Sequence, residues 1–459
     1  MLKALTAGFA GVIATWILAW VLHLPAIDAS AAVTLPILLV GLVGAYLAIL
    51  RAHPPAGRMK TALLAGVVTG LVNLLIVGSV AVEQPESTDA MAQYANQFRS
   101  EALVIIPASI LFCVVAGAIA AAVAGFARPG RPLDTQEGWL ARLALITVLV
   151  YLPLIVVGGA VTSTESGLAV PDSVTSYGAV SVLFPFELMS EPRIFLEHSH
   201  RLFGTLAGLT TIVLMVCVLV LDPRKAAKIL AVLLLVAVCV QGYAGAKRVS
   251  EMSPAIAIVH GIFGQVVFAF SAALAAVLSR SWRTLPPDAE RQAMARKSST
   301  LAWVMLGALF LQLVIGAAAR HLDRMDPPSP GAGHARLTHA GFAFVVMFLI
   351  ILGGSLAIRT GKSGARFTPV RNLGVALHGT VTLQFLLGWA TLGLIMTRDD
   401  PAVVPTADQL ATAQPIRTVE ALITTAHQTL GALLLLLATV TTLWLGRLAR
   451  DRTAAPLDR

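Results

Sequence analysis

The sequence predicts an all-α integral membrane protein of about twelve transmembrane helices, built as two pseudo-repeated four-helix bundles preceded by four extra helices. Three observations predict it. Of 459 residues, 57% are hydrophobic and 12% charged, with a mean hydropathy of +0.81. The apolar residues fall in long runs, and a spanning helix needs ~20 of them with its backbone polar groups satisfied inside the segment. From about residue 139 onward, the endings and beginnings of these runs repeat.

The runs lie at 2–23, 33–50, 61–82 and 102–126, then at 142–163, 200–221, 228–246 and 254–279, and finally at 299–319, 337–358, 372–396 and 418–446. Most of the 33 Lys and Arg residues sit in alternate connections, among them "RAHPPAGRMK", "ARPGRPLD", "DPRKAAK", "SRSWRTLPPDAERQAMARK" and "RTGKSGARFTPVR", and in the tail "RLARDR". The positive-inside rule makes these connections cytoplasmic, with both termini inside. The net charge of +9 is then a mark of topology, and nucleic acid is a poor explanation for it. The first run, after Lys3 and before "DASAA", also fits a secretory signal; the reading adopted is a retained helix. Cys113, Cys217 and Cys239 all fall in apolar runs, which leaves no loop disulfide and no reading of redox compartment.

Residues 1–130 form a membrane extension of four helices rich in Ala, Val, Leu and Gly, with no ionisable residue well inside a span. "AGVVTGLVNLL" places Gly66 and Gly70 four apart, a pattern of close helix packing. Residues 139–285 and 298–450 are the two halves of a duplicated four-helix unit. Odd-numbered helices share an ending: "VQGYAGAKRV" with Gln241 and Gly245, "LQLVIGAAARH" with Gln312 and Gly316, "LQFLLGWATLG" with Gln384 and Gly388. In "LPLIVVGGAVTS", Leu154 replaces the Gln before Gly158.

Each odd helix is followed by an even one with a histidine near its start: His200 in "HRLFG", His260 in "HGIFG", His339 in "HAGFA" and His427 in "HQTLG". Positions i and i+4 share a helix face, so Gly or Ala one turn on leaves a flat shelf beside the imidazole. At 1.5 Å per residue the four rings lie roughly 5 to 15 Å below the outer surface. Two facing imidazoles in a four-helix bundle form a bis-histidine heme site. A single histidine near a helix end is more often interfacial, but four in one frame, at one depth, on matching helices, point to ligands. Zinc is disfavoured, because no HExxH occurs and no cysteine or carboxylate cluster stands beside them. His378 lies at the opposite depth and reads as structural. His198 precedes the sixth apolar run, and His321 and His334 lie in or beside "RHLDRMDPPSPGAGHAR"; these are solvated loop residues or contacts to substrate propionates.

The halves differ. In "EHSHRLFG" Glu197 stands three before His200 and Arg201 one after, whereas Arg336 and Ala340 take those places around His339. A carboxylate one turn from an iron ligand can relay protons or stabilise a developing cation. The bland alternative is a helix N-terminal carboxylate paired with Arg201 at i+4; Arg201 equally suits a heme propionate.

These stretches, together with "GGAVTSTESGLAVPDSVTSYG" and "HQTLGALLL", resemble the heme A synthase family over about residues 139–450. The resemblance implies oxidation of a ring methyl of heme O, through hydroxymethyl stages, to the formyl group of heme A for cytochrome oxidase. It implies that His339 and His427 ligate a permanent heme b, that His200 and His260 belong to the substrate-heme site, and that Glu197 takes part in the chemistry. Implied partners are heme O, the heme O synthase that supplies it, membrane lipid and an external electron donor; a homo-oligomer is compatible with the sequence. The implied location is the cell inner (plasma) membrane, with heme sites toward the outer face. The cysteine pair that some members carry in the outer loops is absent here, the second outer loop is short and Pro-rich, and the leading helices have no counterpart in the common eight-helix form. A di-heme b-type cytochrome fed by quinol and a heme carrier are the competing readings.

Overall fold

A computed structural model describes residues 1–126, 135–324, 329–397 and 404–450. Twelve of its helices are long and apolar enough to cross a membrane. They are α1 (Leu2–Leu22), α2 (Ala31–Leu50), α3 (Arg58–Ala81), α4 (Ala102–Val123), α5 (Gln136–Ser163), α6 (Pro192–Leu221), α7 (Lys225–Glu251), α8 (Pro254–Leu278), α9 (Ala289–Leu322), α10 (Ala332–Lys362), α11 (Thr368–Met396) and α12 (Thr418–Ala449). All of "ARPGRPLD", parts of the α9–α10 and α11–α12 connections and the end of the C-terminal tail lie outside the described residues.

From α5 onward the helices extend past their apolar runs, because capping chemistry sets the ends. The α6 helix begins at Pro192, eight residues before the run, where the Glu191 side chain accepts the Ile194 N–H; Ser253 caps α8 the same way, ahead of Pro254. A side-chain acceptor followed by Pro at the first helical position is a strong start signal. Pro36, Pro107 and Pro153 lie inside helices, which membrane helices tolerate better than soluble ones.

The chain divides into two compact units, one comprising Met1–Val157, Ser166–Leu235 and Thr406–Leu410, the other Gly158–Glu165, Val236–Pro405 and Ala411–Arg459. In the first, α1 packs on α2 and α3, and α4 closes the bundle by packing on α2 and α3. Small residues permit the approach. A Cβ on Gly66 would fall 2.6 Å from the Val114 Cα, and one on Gly70 would fall 2.8 Å from the Ile110 Cα. Polar groups in this bundle find one another, as buried groups in lipid must: Tyr46 donates to Thr69 Oγ1 at 2.7 Å and Trp16 Nε1 to Asn73 Oδ1 at 3.1 Å.

The second unit contains a closed four-helix bundle in which α9 meets α10, α10 meets α11, α11 meets α12, and α12 returns to α9; α8 packs on α9 and α12. Its buried core includes Met305, Leu309, Val346, Ile350, Leu377 and Leu434.

Candidate functional site

The repeat seen in sequence is a packing device. In the second unit His260 of α8 lies against Gly245 of α7, His339 of α10 against Gly316 of α9, and His427 of α12 against Gly388 of α11. A Cβ at those glycines would come 2.8 Å, 2.5 Å and 3.0 Å from the respective imidazole Cε1 atoms. No side chain other than hydrogen lets the ring lie so close to the neighbouring backbone. The glutamine one turn earlier completes the contact: Gln241 Nε2 donates to the His260 carbonyl at 2.9 Å and Gln312 Nε2 to the His339 carbonyl at 2.8 Å. Gln384 Nε2 stands 3.4 Å from His427 Nε2.

This geometry corrects the shelf expected beside each histidine. A Cβ at Gly264 would meet the Gln241 amide nitrogen at 2.8 Å and one at Gly431 the Gln384 nitrogen at 3.4 Å. The i+4 glycines of those two helices therefore make room for the glutamines, and the surfaces beside the rings are the glycines of the odd helices. At Gly204, after His200, a Cβ would meet nothing within 4 Å.

His339 and His427 face each other with ring centroids 6.3 Å apart and planes at 86°. An atom bonded to one nitrogen of each ring at about 2 Å, the usual metal–imidazole distance, requires centroids roughly 6 to 6.5 Å apart, so the separation of the pair matches that of two ligands to one metal. His339 Nδ1 lies 3.1 Å from the Gln312 carbonyl, a contact that orients the ring. The Nδ1 of His427 is buried without a hydrogen-bond partner among the described residues.

In the first unit, the helix reaches back beyond "EHSHRLFG", so Glu197 lies in the second turn of α6 and His200 in the third. The helix-start explanation of Glu197 is thereby removed, since Glu191 occupies the cap. Glu197 is 3% exposed. Its Oε1 accepts from Arg201 Nη2 at 2.9 Å and its Oε2 from the Val170 N–H at 2.9 Å, so the i+4 ion pair is present. Arg201 also donates through Nη1 to the Thr175 carbonyl at 2.6 Å and through Nη2 to the Val170 carbonyl at 3.3 Å. The pair thus holds the connection between α5 and α6 as well as each other.

That connection is ordered. Thr175–Ser176 pairs with Ala179–Val180 as a small hairpin, and Tyr177 and Gly178 both have positive φ, the two-residue turn that suits strand twist. Asp172 Oδ2 accepts from Gly178 N–H at 2.6 Å and Thr175 Oγ1 at 2.8 Å. Burial, followed by the charges of Glu197, Glu191 and Asp172, pushes the Tyr177 hydroxyl up to about 12, keeping it a neutral donor to the Ala169 carbonyl at 2.8 Å.

His198, His321 and His334 are placed differently from the sequence reading, whereas His378 is structural as expected. His198 is inside α6 and fully buried, its Nδ1 3.2 Å from Ser176 Oγ and its ring 4.8 Å from that of Phe184. His321 ends α9, and His334, exposed, lies in α10; neither is a loop residue, because both helices outrun their apolar cores. His378 bonds the Ile351 carbonyl at 2.9 Å, a helix-to-helix tie. Sequence reasoning missed one cluster in the second unit. Glu165 Oε1 binds Arg320 at 2.7 Å and Arg324 at 3.0 Å, and Arg324 lies 3.8 Å from Glu420. Glu420, 7% exposed and two turns before His427, shows that the second half is not free of acids; its carboxylate is neutralised by arginine. A buried acid and an arginine at matching helix ends were the available signal.

Residues 141–326 match the COX15-CtaA family, described as cytochrome oxidase assembly protein. The matched segment runs from α5 to just past α9 and contains Glu197, His200, Arg201 and His260, while His339, His427 and the four leading helices lie outside it. No curated protein and no solved structure matched the chain. The matched family implies involvement of heme.

Proposed function

We propose that the protein is a heme A synthase, oxidising a ring methyl of heme O to the formyl group of heme A. The observation that carries this reading is a buried carboxylate, Glu197, one turn before His200 inside the family-matched segment, held by Arg201 and the Val170 N–H. Nothing in plain electron transfer requires an acid there.

His339 and His427 are assigned to a permanent heme b, supported by their facing rings and by the unpartnered His427 Nδ1. When bound, that group supplies one-electron transfer. Gln312 and the glycines Gly316 and Gly388 orient the two imidazoles. His200, in the first unit, and His260, in the second, are the substrate-heme histidines that the resemblance implies. Glu197 holds or moves a proton at its carboxylate oxygens during oxidation of the substrate, and Arg201 fixes its position and charge. The acid works inside a buried setting, where electrostatic effects exceed those in water. The Lys- and Arg-rich connections support an orientation with both termini cytoplasmic.

Co-expression with a heme O producer, followed by chromatography and mass measurement of the extracted pigment, tests the assignment. Heme A is the expected product. A fully loaded heme b with heme O unchanged would make the protein a di-heme cytochrome, and release of heme O unaltered to an acceptor would make it a carrier.

A further inference from the structure

The four leading helices take no part in the histidine repeat, yet within the first unit they meet the Glu197 region along a continuous surface. Three backbone amides of the α5–α6 connection are donated to the extension: Val180 N–H to Asn96 Oδ1 at 2.8 Å, Phe186 N–H to the Ser79 carbonyl at 3.0 Å and Glu187 N–H to Gln84 Oε1 at 3.0 Å. The acceptors are themselves fixed. Gln84 spends its amide nitrogen on the carbonyls of Ser79 at 2.9 Å and Val82 at 2.7 Å, which aims its oxygen at the connection. Asn96 has φ +63, a conformation that Asn tolerates better than most residues. At Gly78 of α3 a Cβ would collide with the Val182 carbonyl oxygen, so the connection crosses α3 where only glycine leaves room.

The same extension braces α6. Trp16 of α1 meets Phe203 edge-on at 5.5 Å, and Trp20 stacks on Phe195 at 6.4 Å. Phe195 and Phe203 bracket Glu197, His200 and Arg201 along the helix. The connection is therefore held on two sides: by Glu197, Arg201 and His198 from α6, and by Asn96, Gln84 and Ser79 from the extension. Removal of the second support would leave the stretch from Tyr177 to Glu187 with only the α6 side.

We propose that the four leading helices are a positioning scaffold for the first-half site, fixing the α5–α6 connection and the Glu197 face of α6 so that heme O is bound in register with the carboxylate. Asn96, Gln84 and Gly78 are its positioning residues, acting through the connection. This inference rests on the reading of that region as a substrate-heme site.

The test uses the full chain in lipid nanodiscs. Amide hydrogen exchange is followed in peptides spanning 174–191, and heme O is titrated by absorbance, for the natural sequence, the double variant Asn96→Ala/Gln84→Ala, and Gly78→Leu. In the double variant, exchange at Val180 and Glu187 should rise by roughly tenfold or more, as loss of their acceptors implies, heme O affinity should fall several-fold, and the His339/His427 absorption should stay unchanged. Should Gly78→Leu fail to fold, the double variant decides. Unchanged exchange, or faster exchange with unchanged heme O affinity, overturns the scaffold. A chain that binds heme O normally but makes no heme A breaks the functional reading alone, the scaffold then being judged by exchange and affinity; a chain that binds no heme O overturns both.

Discussion

The Glu197 region and the His339–His427 region share a histidine motif in sequence and are held by opposite means. Around His339 and His427 everything is helix against helix: glycine surfaces on α9 and α11, glutamine ties, and ring centroids 6.3 Å apart. Around Glu197 the helix is tied to a connection, with Val170 and Thr175 bonded to the Glu197–Arg201 pair. On the proposed function, rigid helical packing suits two imidazoles that hold a cofactor, and a region closed by a segment of chain suits a bulky substrate that enters and leaves. Both regions contain acids, but Glu165 and Glu420 are paired with Arg320 and Arg324 at the ends of helices, whereas Glu197 lies one turn from a histidine.

The largest expected effect breaks the helical region. His339→Ala or His427→Ala should abolish the bis-histidine absorption of the purified protein, and a normal band in either would refute the pairing. Next comes the acid. Glu197→Ala strands Arg201 and the Val170 N–H, and breaking a buried ion pair from one side costs about 3 to 5 kcal/mol; Glu197→Gln keeps an acceptor in place. If the carboxylate acts on a proton, both variants retain heme b and lose heme A formation by about tenfold or more, in the range of general acid–base contributions. Product loss in the alanine variant alone would make Glu197 a structural tie.

A narrower effect sharpens the comparison between glycine surfaces. Gly316→Leu should displace the His339 ring and reduce heme b content, whereas Gly245→Leu should disturb His260 and leave the heme b band intact; pigment content per protein measures both. The smallest effect is expected for Gln312→Ala, which removes one donor to the His339 carbonyl and should lower thermal stability by roughly 0.5 to 1.5 kcal/mol without loss of heme b.

Much of this was legible in the sequence because lipid makes apolar length a nearly sufficient signal: all twelve spans stand where the runs predict. The Gln–Gly ending and its histidine partner were also visible as a repeat, although their physical relation was not. Sequence showed glycines at i+4 from the histidines, but which helix each glycine serves depends on lateral packing, so the surfaces beside the rings were assigned to Gly264 and Gly431 in place of Gly245 and Gly388. Helix starts were misread for a related reason. The first two turns of α6 mix Arg193, Glu197 and His198 with Ile194, Phe195 and Leu196 and are covered by the α5–α6 connection, so the long apolar run begins only at His200 and Glu197 looks like a helix mouth. The hairpin at Thr175–Val180 carried a faint signal, Tyr-Gly between short β-branched stretches, and its hold on Glu197 carried none, because contacts between a loop and a distant helix leave no periodicity.

Near-infrared magnetic circular dichroism of the ferric protein tests the facing of His339 and His427 most directly, because the energy of the charge-transfer band reports the axial ligands of low-spin heme iron. The natural sequence should show a bis-imidazole band, which moves to the energy of a different ligand pair in His427→Met. A natural protein with no bis-imidazole band, or a band untouched by that substitution, would contradict it.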